Sequence, residues 1–145
     1  MTTWEADLPG IVALPGGRFV RGRGRALRDV LPVGGEEPEL GLYLAAKPHR
    51  EKGGESQWVR WPDFRLPSTP SDAIAALRDL YERSAETRVE VARGRGRTGT
   101  AIALLARFAG VLAGDAIAWT RANYQSGAVE TPWQRRFVRL ADVDH

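Results

Sequence analysis

A run of alternating arginine and glycine joins two apolar segments in the second half of the chain. The run spans Arg93 to Gly99, after a short strand-like segment from Arg88 to Ala92 and before an apolar stretch from about Thr98 to Leu112. The first segment is typical of a buried strand and the last of a buried helix. A glycine-rich turn from strand into helix directs N–H groups inward and adds the positive end of the helix dipole. The run is therefore a candidate binding site for phosphate or sulfate.

Arg97 lies at the entry to this predicted helix, where its guanidinium can bind an oxyanion through two parallel hydrogen bonds. The plainer alternative is a glycine-rich connection with solvated arginines. Gly94, Gly96 and Gly99 also match the dinucleotide-binding spacing G-x-G-x-x-G. That motif needs a following parallel strand that ends in an acidic residue, whereas helical patterns continue to the C-terminus. A Walker A loop is excluded as well, because no lysine follows Gly99.

The rest of the chain divides into a strand-rich first half and a helical second half. Pro15-Gly16-Gly17 predicts a hairpin turn, and further helices are predicted at three places. This order indicates one layered α/β or α+β domain over residues 1–145. The predicted strands are Ile11–Leu14, Phe19–Val20, Leu40–Ala46 and Trp58–Trp61; the predicted helices run from Ser71 to about Ala85, from Asp115 to near Gly127, and from Thr131-Pro132 onward.

Composition excludes several kinds of chemistry. The chain has no cysteine, which removes disulfides, thiolate metal sites and thiol nucleophiles, and its two histidines are too few for a histidine metal site. We therefore expect neither a metal nor a cofactor. The N-terminus lacks a signal-peptide pattern and no apolar run is long enough for a membrane span, so a soluble, cytoplasmic protein that binds no membrane is expected.

Five arginines between Arg18 and Arg28 form a second arginine-rich stretch, in a chain whose net charge is only +3. Such a stretch can contact RNA, but Phe19 is the only aromatic residue within it. We interpret it as a solvated loop or edge and do not expect nucleic acid as a partner.

Two further segments make the arginine-glycine run recognisable. Trp61-Pro62-Asp63 places a carboxylic acid in a proline-containing loop, and Gln134 lies at the start of the last helix. In this order the sequence resembles the superfamily of protein-tyrosine and dual-specificity phosphatases, and especially its small bacterial members. The resemblance implies a phosphatase-like α/β fold, with a small sheet of about four or five strands, a parallel centre and flanking helices.

The resemblance also implies roles for individual residues. Asp63 would be the general acid, Thr98 would assist the leaving thiolate, and Gln134 would position the hydrolytic water. The phosphate would be held by the loop amides and by Arg97. The implied phosphate-binding residues are Ala92, Arg93, Gly94, Arg95, Gly96 and Arg97.

The nucleophile of the family motif H-C-x-x-G-x-x-R-[ST] is missing. An alignment without a gap places Glu90 at the histidine position and Val91 at the cysteine position, and Gly94 then matches the motif glycine. A second alignment assigns Val89 to Ala92 wholly to the strand, so that the catalytic position and a neighbour are deleted and the loop is too short for a full ring of amides. Substitution keeps the anion site, whereas deletion can leave only Arg97 and the helix end.

Family chemistry proceeds through a phosphocysteine, and loss of a nucleophile commonly costs on the order of 10⁶ in rate. The sequence therefore predicts a catalytically impaired phosphatase-like protein that binds phosphate or a phosphorylated protein. One alternative is a fold remnant that acts only through protein contacts. The other is a phosphomonoester-hydrolysing cysteine phosphatase whose nucleophile was altered in this sequence.

Overall fold

The computed structural model describes residues 3–6, 10–23, 38–50, 54–62, 65–93 and 95–143. Within these ranges the chain forms five strands and four helices. The elements in chain order are β1 (Ile11–Ala13), β2 (Phe19–Arg23), β3 (Leu40–Ala45), β4 (Glu55–Arg60), α1 (Pro70–Arg83), β5 (Val89–Ala92), α2 (Arg95–Phe108), α3 (Ala116–Asn123) and α4 (Pro132–Leu140).

The strands form one mixed sheet in the order β1-β2-β5-β3-β4. Only the β1–β2 pair is antiparallel among these described strands, and its turn contains Gly16 and Gly17 at positive φ. The predicted α/β fold with a parallel centre is confirmed. β5 lies in the middle of the sheet, so its carboxyl end opens on the edge where ligands bind in parallel α/β sheets.

Successive side chains of β5 point to opposite faces of the sheet. Val89 and Val91 are completely buried in the main apolar core, beside Leu40 and Leu42 of β3 and apolar side chains of the helices. Glu90, between the two valines, points to the other face and is also completely buried. The central strand therefore contributes to the apolar core on one face and carries a charge on the other.

Helix boundaries differ from the sequence predictions mainly at α2, which begins at Arg95 rather than at Thr98 and ends at Phe108 rather than at Leu112. Gly110 explains the early end, because it adopts φ 105° just beyond the helix. The N–H of Gly110 donates to the carbonyl of Arg107, and the N–H of Val111 donates to that of Ala106. These two bonds form a Schellman motif, which terminates the helix.

The other helices agree more closely with the sequence. α1 begins at Pro70, one residue before the predicted Ser71, and α3 ends at Asn123, short of Gly127. α4 begins where the sequence predicts, since Thr131 is its N-cap and Pro132 its first residue. Among the helices in the described ranges, none has the length and apolar character needed to cross a bilayer.

Candidate functional site at the start of helix α2

The connection from β5 to α2 contains only residues 93 and 94. β5 ends at the buried Ala92, Arg93 adopts φ 83°, and α2 begins at Arg95. A non-glycine residue at this φ is uncommon and requires support from its surroundings. Gly94 lies outside the described residues, and of Arg95 only the backbone is described. The chain thus changes from strand to helix over a very short distance.

Val91, the residue at the cysteine position in the gap-free alignment, lies in the apolar core. Its exposure is 0%, and its register partners across the sheet are Gly22 and Leu42. Its side chain therefore packs between the sheet and the helices.

Glu90, the residue at the histidine position, is the acceptor of a buried hydrogen-bond network. Its Oε1 accepts from Nε and Nη2 of Arg21 at 2.9 and 2.6 Å and from Nε of Arg23 at 2.9 Å. Its Oε2 accepts from Nη2 of Arg23 at 3.1 Å and from the Tyr43 hydroxyl at 3.0 Å. Burial raises the pKa of Glu90, but hydrogen bonds and charge from the two arginines outweigh burial and hold the pKa below its usual value.

This network corrects the interpretation of Arg18 to Arg28 as a solvated stretch, since Arg21 and Arg23 are only 3% and 4% exposed. The two arginines lie two residues apart on β2 and therefore on one face of the sheet. In the sequence, this spacing could have indicated that the two arginines share one acidic partner. Residues 24–30 lie outside the described residues.

Arg97 links the first turn of α2 to the segment that precedes Asp63. Its Nη1 donates to the carbonyl of Trp61 at 2.9 Å. Trp61 is completely buried, donates from Nε1 to the carbonyl of Arg65 at 2.8 Å, and packs edge-on against Phe137. Asp63 itself lies outside the described residues, so its predicted acid role stays a prediction.

Thr98 and Gln134 are both buried, but they lie in different elements. Thr98 is in the first turn of α2, and its hydroxyl has no hydrogen-bond partner among the described residues. Gln134 forms a capping box with Thr131: its Oε1 accepts from the Thr131 N–H, and its own N–H donates to the Thr131 hydroxyl, both at 3.2 Å. The side-chain oxygen of Gln134 is therefore already used to start α4.

The loop before α4 packs against the start of α2, a contact that the sequence does not predict. A methyl group on Gly99 would lie 2.8 Å from Cβ of Ala128, and one on Gly96 would overlap the carboxylate of Glu130. Both glycines thus permit close approach of this loop, in addition to any part that they play in an anion site. Their spacing was a signal for such close approach, but the sequence does not identify the packing partner.

Val129 holds this loop in an unusual conformation. It is completely buried and adopts φ 61°, which is strained for a β-branched residue. Arg121 of α3 donates from Nε to the carbonyl of Ala128 at 3.0 Å and from Nη2 to that of Val129 at 3.2 Å. These two bonds and the capping box fix the loop on either side of Glu130.

Comparison with known proteins assigns the family. A model of the protein-tyrosine phosphatase family matches residues 41–123, which is more than half of the chain. The chain belongs to the protein-tyrosine phosphatase family. It is also similar to a solved structure described as the active form of Tk-PTP, with 21% identity, a TM-score of 0.63, and coverage of 93% of this chain and 96% of that one. At this identity the likeness supports the fold alone. No curated protein sequence matches the chain.

In this member of the protein-tyrosine phosphatase family, three groups lie close to the first turn of α2. Arg97, the carbonyl of Trp61 and the side chain of Glu130 lie there together. Val91 instead lies in the apolar core, and the oxygen of Gln134 caps α4. A guanidinium and helix N–H groups are donors of the kind that bind anions, and here a carboxylate lies beside the same turn.

Proposed function

We propose that this chain is a protein-tyrosine phosphatase family member that binds a phosphoryl group without hydrolysing it. The absence of cysteine from the whole sequence carries the proposal, because the family reaction that the resemblance implies proceeds through a phosphocysteine. In the gap-free alignment Val91 occupies the cysteine position, and its burial in the apolar core supports the proposal under that alignment. The bound group would be inorganic phosphate or a phosphorylated protein.

Anion binding would use the first turn of α2. Unpaired N–H groups at a helix start attract anions, and Arg97 adds a guanidinium that is already oriented by its bond to Trp61. Two or three charge-assisted hydrogen bonds, each about 1.5 to 3 kcal/mol, correspond to roughly millimolar affinity for free phosphate. Tighter binding of a phosphorylated protein would require contacts outside this site.

The short β5–α2 connection supports the alignment in which the catalytic position is deleted. With strand through Ala92 and helix from Arg95, few residues are available to surround an anion with amides. We therefore propose that phosphate binding depends on Arg97 and the helix start more than on a full loop. Asp63, Thr98 and Gln134 would then have no turnover to assist, and the capping bond of Gln134 supports a structural role for that residue.

A second candidate function is that of a fold remnant that acts only through protein contacts. The position of Glu130 favours this candidate, because its carboxylate lies against Gly96 beside the proposed anion site. A negative charge there opposes a bound phosphate.

The test is a titration with phosphate and with orthovanadate, monitored by calorimetry or amide chemical shifts. We expect saturable, roughly millimolar binding that Arg97→Ala abolishes, whereas Arg136→Ala, a substitution of an exposed arginine on α4, leaves binding unchanged. Absence of binding at tens of millimolar, on the order of ten times that affinity, would reject phosphate binding in favour of the fold remnant.

The missing nucleophile is tested separately with the variant Val91→Cys and an aryl phosphate substrate. We expect no turnover by the natural chain, and none by the variant, because the side chain at position 91 lies in the core. Rapid turnover by the variant would instead show that the family loop geometry survives around position 91. Turnover by the natural chain, at a rate that copurifying phosphatase does not explain, would reject the proposed function.

A further inference from the structure

The side chain of Glu130 lies against Gly96, in the first turn of the helix at which the proposed anion would bind. Its Cδ and Cγ are 3.2 and 3.3 Å from the position of a β-carbon built on Gly96, and its Oε1 is nearer still. Gly96 is the second residue of α2, so the whole carboxylate arm lies over the first turn of that helix. A carboxylate at a helix start is itself a stabilising partner for the helix dipole.

The backbone of Glu130 is held firmly, while its carboxylate is not. On one side Val129 is fixed at φ 61° by packing and by Arg121, and on the other Thr131 is fixed by the capping box of α4. Arg135 donates to the main-chain carbonyl of Glu130 at 3.2 Å. In the described part of the chain no ion pair involves the Glu130 carboxylate, and the residue is exposed to solvent. The side chain can therefore rotate away while the loop stays in place.

A carboxylate against Gly96 is a like charge beside the helix start at which the proposed phosphate would bind. When the phosphate binds, the carboxylate must either move into solvent or remain as a like charge within a few ångströms. Either response lowers the affinity for phosphate, and a carboxylate that stays in place repels a dianion more than a monoanion.

We propose that Glu130 lowers the affinity of this anion site for dianionic phosphoryl groups, because its carboxylate is a like charge beside the bound group. This inference rests on the proposed function, since it concerns the same site. It adds that the weak affinity for free phosphate is set by a particular residue and can be raised by removing one charge.

The experiment compares the natural chain with Glu130→Gln, which keeps the shape of the side chain and removes its charge. Inorganic phosphate at pH 8, where it is mainly a dianion, is the probe. We expect Glu130→Gln to bind phosphate about fivefold tighter, the factor typical of a solvent-exposed like charge a few ångströms away. Glu86→Gln, a substitution of an exposed glutamate between α1 and β5, serves as the matched control and should leave affinity unchanged.

Adding Arg97→Ala to Glu130→Gln should abolish the gain, which places the effect at this site. Equal or weaker binding by Glu130→Gln would overturn the inference and leave the proposed function intact if the natural chain still binds. Binding by Glu130→Gln alone, with none by the natural chain, would support the inference and reject phosphate binding as the natural function. Absence of binding by both proteins would reject both.

Discussion

Replacing Glu90 by glutamine probes the buried network on the polar face of the sheet. The carboxylate accepts hydrogen bonds from Arg21, Arg23 and Tyr43, and its side chain is 1% exposed. A glutamine amide keeps one oxygen acceptor but turns its NH₂ group toward the guanidinium groups. Guanidinium groups cannot accept hydrogen bonds, so donors would then face donors.

The expected cost of Glu90→Gln is large because the substitution removes the negative charge that lies between the buried guanidinium groups of Arg21 and Arg23. Breaking a buried ion pair by removing one partner destabilises proteins by about 3 to 5 kcal/mol. Folded domains are stable by only about 5 to 15 kcal/mol, so the variant should fold marginally. Glu86→Gln, at an exposed position in the same part of the chain, should cost less than about 0.5 kcal/mol.

Urea denaturation monitored by circular dichroism measures both variants against the natural chain. The pH dependence adds a second readout. Because the folded pKa of Glu90 lies below its ordinary value of 4.5, its contribution to stability is present above that pH and lost as pH falls through the folded pKa. Glu90→Gln should therefore flatten the acid side of the stability profile. A loss under about 1 kcal/mol, or an unchanged acid side, would refute this account of the network.

Four further substitutions test the packing around α2 and an exposed ion pair. Gly99→Ala should destabilise the fold by about 1 to 3 kcal/mol in thermal or urea unfolding, because its methyl group would meet Cβ and backbone atoms of residues 128 and 129. Gly96→Ala should be nearly neutral in the same assay, because its methyl group need only displace the flexible Glu130 side chain. Truncation of an ordinary buried valine costs roughly 1 to 3 kcal/mol of stability. Val129→Gly should cost less, because glycine relieves the strain of φ 61°. A loss of stability in the ordinary range would contradict that strain. The bonds of Glu55 with Arg83 lower the pKa of Glu55 to about 2. Because solvent screens this exposed pair, Glu55→Gln should nevertheless cost only about 0.5 kcal/mol of stability in the same assay. A loss of stability above about 2 kcal/mol would show that screening is weak there.

Local signals in the sequence predicted much of the fold. The capping pattern of Thr131, Pro132 and Gln134 predicted the start of α4, and the pair of glycines at 16 and 17 predicted the first hairpin turn. In both places the residues that determine the conformation are neighbours in sequence, so a short window contains the whole physical cause.

The start of α2 was not predictable in the same way. Glycine is a poor helix former, so a window of alternating arginine and glycine argues against a helix at Arg95. The first turn of α2 nevertheless packs against the 128–130 loop, through contacts that Gly96 and Gly99 make possible. The partner loop is about thirty residues away in sequence, and no local pattern identifies it.

At the candidate site, too, local signals were predictable from the sequence and long-range contacts were not. Arg97 was predicted from the family motif, and it lies at the first turn of α2 beside Trp61. Burial of Arg21 depends on Glu90, 69 residues later in the chain, and the approach of Glu130 depends on the strained Val129. Such long-range placements follow from tertiary structure, and the sequence contains only their spacing.

The most direct test of anion binding at α2 is a phosphate titration of the ¹⁵N-labelled chain by NMR. We expect saturable shifts that are largest for the amides of Gly96, Arg97 and Thr98, and that disappear in Arg97→Ala. Shifts that centre on another part of the chain, or no shifts at tens of millimolar phosphate, on the order of ten times the expected dissociation constant, would contradict anion binding at α2.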